Sequence, residues 1–238
     1  MDDYIIAIPS HQRPNVIHKK VLNLLGKHNI SKDIIYIFVE KDELLDYKKE
    51  LPEYNIIEGA KGIANQRQCI SNYFPTNKMI CSIDDDVEEI YEHNKPIINL
   101  DYFIKDTFRF LHSNKLTLAG VYPVANYYFC KPTITLDLRF CAGAFKCIIN
   151  KKDLEERKFE LLEDYENTLK HYIFSTGVVR YNYIYLKCNY NSGKGGLKEY
   201  RTKERKMEEV NKFYGKYMEY CAIKKEKDEI RLLKNPKR

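Results

Sequence analysis

Short β-branched apolar runs alternate with helix-period segments along the first half of the chain. Tyr4-Ile5-Ile6-Ala7-Ile8 reads as a strand stopped by Pro9-Ser10. After Pro14, residues Ile17, Val21, Leu24 and Leu25 recur at helical spacing, which predicts a helix to about His28. Residues 34–39 are continuously apolar, the kind of strand that a parallel sheet buries on both faces. An acidic stretch over 40–55 follows, then Ile56-Ile57 as a short strand. Gly59-Ala60-Lys61-Gly62 turns into a helix over 63–73, which Pro75 ends. Residues 79–83 form a further strand, 99–113 a helix and 116–124 a strand. This order predicts an open α/β sheet with right-handed crossovers. Ligands of such sheets bind beyond the carboxyl ends of the strands.

Past residue 125 the pattern becomes mixed. Short strands are expected over 127–130, 133–136 and 145–150, and a helix near 160–173. Residues 178–186 then alternate, with Val179, Tyr181, Tyr183 and Tyr185 on one face. Ser192-Gly193-Lys194-Gly195-Gly196 reads as a loop, and a terminal helix carries Met207, Val210, Tyr214, Tyr217 and Cys221 in one stripe. No repeat or linker interrupts the pattern. A single α/β domain with a helical tail accounts for it.

The 238 residues are 44% apolar and 31% charged, enough to build a packed core. No apolar run approaches the ~20 residues of a spanning helix. Acids at Asp2 and Asp3 occupy the place where a signal peptide carries bases, so a soluble, cytoplasmic protein is expected. Seven cysteines, odd in number and without a C-x-x-C pair, read as reduced core residues. The net charge of +6 is uneven: residues 194–238 hold 15 Lys/Arg against 8 Asp/Glu, while residues 1–193 hold 25 against 26. Such a tail is either a polyanion-facing element or a solvated helix.

The strongest chemical signal is Met79-Ile80-Cys81-Ser82-Ile83-Asp84-Asp85-Asp86. Three adjacent carboxylates at the end of a buried strand repel one another unless a cation compensates. Hard divalent ions take oxygen ligands and share their shell with substrate phosphates. The alternative is a solvated acidic turn that caps a following helix, with Glu88 and Glu89 in its first turn. Neither G-x-x-x-x-G-K-[ST] nor G-x-G-x-x-G occurs, which removes the main support for P-loop and dinucleotide readings. Ser10 and Arg13 follow the first strand and fall at the same edge as the aspartates, where arginine suits phosphate. Glu40 ends the second strand, positioned for a base or ribose or as a loop acid. Gly62 opens a helix bearing Asn65 and Arg67, and a helix N-terminus favours an anion.

Ile8-Pro9-Ser10-x-x-Arg13-Pro14, Ile37-Phe38-Val39-Glu40, Gly62-x-x-Asn65-Gln66-Arg67, Tyr73-Phe74-Pro75 and Ile83-Asp84-Asp85-Asp86-Val87-Glu88-Glu89-Ile90 occur in order. The series resembles the nucleotide-sugar-binding half of a GT-A-type glycosyltransferase. More narrowly, it resembles the TET/JBP-associated glycosyltransferases of phages and large DNA viruses. Cys141-Ala142-Gly143-Ala144-Phe145 and Leu162-Glu163-Asp164-Tyr165 fit the acceptor half of such an enzyme.

The resemblance implies a GT-A-like (Rossmann-like) open mixed sheet flanked by helices over 1–200, with a nucleotide-sugar half over 1–95 and an acceptor half over 96–200. A basic helical extension over 201–238 would follow. It implies a nucleoside-diphosphate sugar donor, such as a UDP-sugar, and a divalent metal (Mn²⁺ or Mg²⁺) held by Asp84 and Asp86. Pro9, Ser10, Arg13, Glu40, Gly62, Asn65, Arg67, Asp84 and Asp85 would line the donor. Asp164, with Glu163 beside it, would be the base on the acceptor hydroxyl, against the plainer reading of an acidic helix start. No histidine follows His171, so a late histidine ligand is missing, and phosphate oxygens and water, or Asn189 or Asn191, would fill the remaining positions. Residues 192–196 are either a plain turn before the terminal helix or a loop that closes over the diphosphate with Lys194 as a point charge.

The implied acceptor is a 5-hydroxymethylpyrimidine in DNA, contacted first by Tyr200, Arg201, Lys203, Arg205 and Lys206 of the basic tail. Viral or phage glycan synthesis on a protein or sugar acceptor is the alternative. A metal-dependent nuclease or nucleotidyltransferase would also use clustered carboxylates. A noncatalytic DNA-binding module would explain the tail and leave the aspartates unexplained.

Overall fold

The computed structural model describes residues 4–188, 202–224, 229–234 and 236. The first strands are β1 (Ile5–Pro9), β2 (Ile35–Val39), β3 (Asn55–Glu58) and β4 (Met79–Ile83). Then come β5 (Val87–Glu92), β6 (Lys95–Pro96), β7 (Leu118–Tyr122), β8 (Ile134–Thr135), β9 (Phe145–Ile149) and β10 (Val179–Cys188). All ten join one sheet in the order β3-β2-β1-β4-β9-β7-β10-β5-β6, with β8 on β10. β1 pairs parallel with β2 and β4, while β9 runs antiparallel between β4 and β7. The carboxyl ends of β1, β2, β4 and β7 and the amino end of β9 therefore share one edge.

The helical run after Pro14 comprises α1 (Pro14–Ile17), a π-helical stretch His18–Leu22 and α2 (Asn23–Lys27). Its predicted stripe, Ile17, Val21, Leu24 and Leu25, is fully buried against the sheet. The acidic stretch contains a helix that was not expected, α3 (Leu44–Glu50), whose Tyr47 is buried. Helix α4 (Ile63–Tyr73) has the predicted bounds, and Gly62 before it takes φ +84, a value that glycine adopts without strain. Helix α5 (Leu100–Ser113) is capped by the Asn99 side chain, which accepts from the Tyr102 N–H. The short α6 (Lys152–Glu155) precedes α7 (Glu163–Ser175).

Three expectations change. The segment after Asp86 is strand β5, paired with β10, so the aspartates cap no helix. The stretch expected as a strand over 127–130 is a 3₁₀ turn, Tyr127–Phe129, with the Asn126 side chain accepting from the Tyr128 N–H. In β10 the pairing with β7 shifts between Tyr181 and Tyr185, and such a bulge reverses which face a side chain meets. Val179, Tyr181, Ile184 and Leu186 consequently join the main core, while Tyr185 stacks on Tyr91 at 5.1 Å.

The carboxyl-terminal segment is less purely helical than its pattern implies. Helix α8 (Lys203–Tyr217) buries Val210, Phe213 and Tyr217 and leaves Met207 exposed. Cys221 lies past its end, in a hairpin of β11 (Cys221–Lys224) and β12 (Glu229–Leu232). Phe213 packs on Phe159 and Tyr165, so α8 closes a second small core over the amino end of α7. Among the described residues no helix is long and apolar enough to cross a membrane.

Candidate active site

The shared sheet edge gathers Ser10, Arg13, Glu40, the three aspartates and Asp164. Asp84 leaves β4 with its N–H donated to the Ala144 carbonyl at 3.1 Å. The three aspartates then separate by role. Asp85 is buried; its Oδ2 accepts from Ser10 Oγ at 2.7 Å and its Oδ1 lies 3.4 Å from Arg13 Nη1. Ser10 Oγ also meets the Tyr47 hydroxyl at 2.7 Å. Burial raises the Asp85 carboxyl to about 6, against the opposing Ser10 hydrogen bond and Arg13 charge. Asp84 and Asp86 stay partly open to solvent on either side of it. Burial and the neighbouring Asp84 charge raise the Asp86 carboxyl above its ordinary range.

Asp84 and Asp86 both offer carboxylate oxygens, the ligand type that hard divalent cations take, and each charge disfavours the other. Asp84 Oδ1 already accepts from Arg67 Nη2 at 2.8 Å. Among the described residues one group of three carries ligand atoms all within 4.8 Å of one another, and it consists of His11, Glu40 and Glu43. Glu40 thus sits at the end of β2 beside a histidine, with Oε1 3.4 Å from His11 Nδ1.

Arg67 does not face the edge openly. Its side chain is 4% exposed and donates to Ser82 Oγ at 3.1 Å, Asp84 Oδ1 at 2.8 Å and Glu163 Oε1 at 3.3 Å. One guanidinium therefore ties the end of β4 to the first turn of α7. Asn65, two residues earlier, is exposed and donates to the Lys61 carbonyl. Pro9 is the buried last residue of β1. The Gln66 amide fills the space beside Gly59, accepting from the Ala60 N–H and donating to the Phe38 carbonyl. Residues 189–201, which include Asn189, Asn191, Lys194, Tyr200 and Arg201, lie outside the described residues.

Across the edge, Asp164 Oδ2 accepts from the Gly143 N–H at 2.7 Å and Oδ1 from Lys146 Nζ at 2.8 Å. Its side chain remains 22% exposed, so the carboxylate is both anchored and reachable. Burial alone would raise its pKa, but the Lys146 ammonium and the Arg67 guanidinium hold it well below the ordinary carboxylate range. Glu163 faces inward, bonded to Arg67 and Arg157. Arg157 continues to Glu155, and Glu155 Oε1 meets His171 Nε2 at 2.7 Å. His171 is closed off by Thr117 Oγ1 at 2.7 Å from Nδ1 and is a buried packing residue. Lys146 and Arg157 escaped the sequence reading, because a cation inside an apolar strand or an irregular loop has no spacing signature. The only hint was one lysine in the otherwise apolar run over 144–149.

Glu155 makes the network acid-sensitive. Against its burial, the His171 hydrogen bond and the Arg157 charge hold its carboxyl far below the usual range. A lowered folded-state pKa contributes stability that is full above the unfolded value of ~4.3 and disappears as pH falls towards the folded value. Thermal melts are expected to show stability falling below about pH 4. Glu155→Gln is expected to flatten that fall, and a pH dependence identical to wild type would contradict it.

No protein-family model and no curated protein matches the chain. Solved structures do. TarS residues 1–349 from S. aureus aligns with 90% of this chain at TM-score 0.52 and 12% identity, and this chain spans 66% of that structure. The bifunctional IspDF of Campylobacter jejuni aligns with 71% at TM-score 0.42 and 13% identity, with 47% of its own length covered. A 4-diphosphocytidyl-2C-methyl-D-erythritol synthase from Anaerococcus prevotii aligns with 83% at TM-score 0.45 and 14% identity, with 95% of its length covered. At these identities the likeness is one of fold: a mixed α/β sheet flanked by helices, of the GT-A-like kind.

Proposed function

We propose that the chain is a metal-dependent glycosyltransferase that moves a sugar from a nucleoside-diphosphate sugar, a UDP-sugar in the first instance, to a hydroxyl acceptor. One observation supports this reading: Arg67 joins Asp84 to Glu163, so that Asp84 and Asp164, the neighbour of Glu163, lie at the same edge of a GT-A-like sheet. Asp84 and Asp86 would hold the cation, which when bound offsets the charge of the departing diphosphate. Ser10, Arg13, Glu40 and the start of α4 would line the nucleotide. The acceptor oxygen bonds to the anomeric carbon and its proton passes to the Asp164 carboxylate. The bond from that carbon to the phosphate oxygen breaks with its electron pair leaving on the nucleoside diphosphate.

For the acceptor we propose a 5-hydroxymethylpyrimidine in DNA. Support comes from the basic excess of residues 194–238 and from exposed rings on the connection leaving β7 at the same edge, where Tyr128 is 86% exposed. Several tail cations are already matched within the fold: Arg205 pairs with Glu160, Lys212 with Glu208 and Lys216 with Glu166. Lys203 is exposed at the start of α8.

Calorimetry with UDP and Mn²⁺ tests the donor half. Binding is expected to need the metal, and Asp86→Ala is expected to weaken it about tenfold or more, as removal of one of two carboxylate ligands should. Unchanged binding by Asp86→Ala would overturn the metal assignment. Incubation with labelled UDP-sugars and duplexes containing 5-hydroxymethylcytosine or 5-hydroxymethyluracil tests the acceptor half. Label on these duplexes and none on unmodified DNA is expected. Label found only on protein or glycan would replace the DNA acceptor with a glycan one.

A further inference from the structure

Lys146 is the least expected side chain in the sheet. It is the second residue of β9, opposite Ser82 of β4 and Gly120 of β7, and none of its side chain reaches solvent. A lysine is almost never fully buried unless paired, because the ammonium gives up its hydration. Here Nζ donates to Asp164 Oδ1 at 2.8 Å and to Asn167 Oδ1 at 3.0 Å. Asn167 is itself fastened, its amide donating to Glu155 Oε1 at 3.0 Å. The ammonium is thus held from two sides and aimed at one oxygen of Asp164. The Gly143 N–H takes the other oxygen, and a Cβ on Gly143 would collide with both Arg67 and Asp164. Two donors on two oxygens fix the plane of the carboxylate, leaving its exposed fifth for a substrate.

We infer that Lys146 is a positioning residue for sugar transfer: its buried ammonium orients Asp164 and keeps that carboxylate ionised for the acceptor proton. The inference rests on Asp164 being the base proposed above. The charged groups around Asp164 are Lys146 from β9, Arg67 from α4, Arg157 from the segment between α6 and α7, and Glu163 beside it on α7. Lys146 alone of the three cations bonds Asp164 directly; Arg67 and Arg157 bond Glu163. Its removal should therefore act on the base more than on the fold. An opposite charge at this distance shifts a carboxyl by about 1–3 pH units.

The test is a carboxyl NMR titration of the full chain labelled with ¹³C-aspartate, with the Asp164 signal assigned by its absence in Asp164→Asn. In the wild type Asp164 is expected to stay ionised below the ordinary carboxylate range. In Lys146→Met and in Lys146→Gln, which keeps a hydrogen-bond donor and drops the charge, it is expected to titrate at least one pH unit higher. The acid limb of the transfer rate should move up by the same amount, with kcat reduced and UDP–Mn²⁺ binding unchanged. A wild-type Asp164 that titrates as an ordinary carboxylate would overturn the inference without any variant. So would equal titration in folded Lys146→Met or Lys146→Gln and wild type. The expected NMR shift in a chain that transfers no sugar would overturn the proposed function instead, and would leave Lys146 as the group that sets Asp164.

Discussion

Arg67→Met is expected to lower stability by about 3–5 kcal/mol, the usual effect of removing one partner from a buried ion pair. For a chain of this size that is a fall of roughly 10 °C in melting temperature. The reason is the number of groups that lose their partner together: Ser82 Oγ, Asp84 Oδ1 and Glu163 Oε1 all accept from one guanidinium. Glu163 keeps Arg157, which places the effect near the lower end of that range. Adding Glu163→Gln to Arg67→Met is expected to recover part of the loss, since Arg157 then no longer has to balance Glu163 as well as Glu155. Chemical denaturation measures both. Should Arg67→Met melt within a degree or two of the wild type, the bridge between β4 and α7 would not be the tie described here.

Asp164→Asn is expected to reduce sugar transfer by about 10²–10⁴-fold, the range that a positioned proton acceptor contributes. The amide is nearly isosteric and its oxygen can still accept from the Gly143 N–H. It cannot balance the Lys146 ammonium, so some destabilisation should accompany the loss of activity. UDP and Mn²⁺ should bind as in the wild type, because Asp164 contacts neither Asp84 nor Asp86 directly. Turnover close to wild type would move the base to another group on this edge. Loss of donor binding along with turnover would mean that α7 had shifted as a whole. Calorimetry and a rate measurement on the same preparation separate these outcomes.

The elements up to the end of β4, α3 apart, were legible because each rests on a local pattern. Continuous apolar runs at β1, β2 and β4 are what a sheet buried on both faces requires. The Gly62 turn into α4 needs a backbone conformation that the chain itself spells out. The same holds for the edge position of Asp84 and Asp86, since residues that follow a parallel strand stand at its carboxyl end. Less legible were the elements set by pairing. Residues 87–92 carry acids where a helix could begin, and they form a strand because the long β10 offers them a partner. The bulge that takes Tyr185 out of the main cluster and onto Tyr91 has no marker in the alternation of β10. Cys221 continues the stripe of α8, yet it pairs with Leu232 in a hairpin.

By itself, then, the order of residues determined the strands β1 to β4 of an α/β sheet and which carboxylates stand at its carboxyl edge, because periodicity and strand ends are local properties. Tertiary structure decided what those carboxylates are. Asp85 turned inward to Ser10 and Arg13, and Asp84 was tied through Arg67 to Glu163, 79 positions further along the chain. Asp164 acquired a buried lysine as its counter-charge. Charge pairing in a low-dielectric interior depends on distance through space, and no spacing along the chain encodes which cation a folded carboxylate will meet.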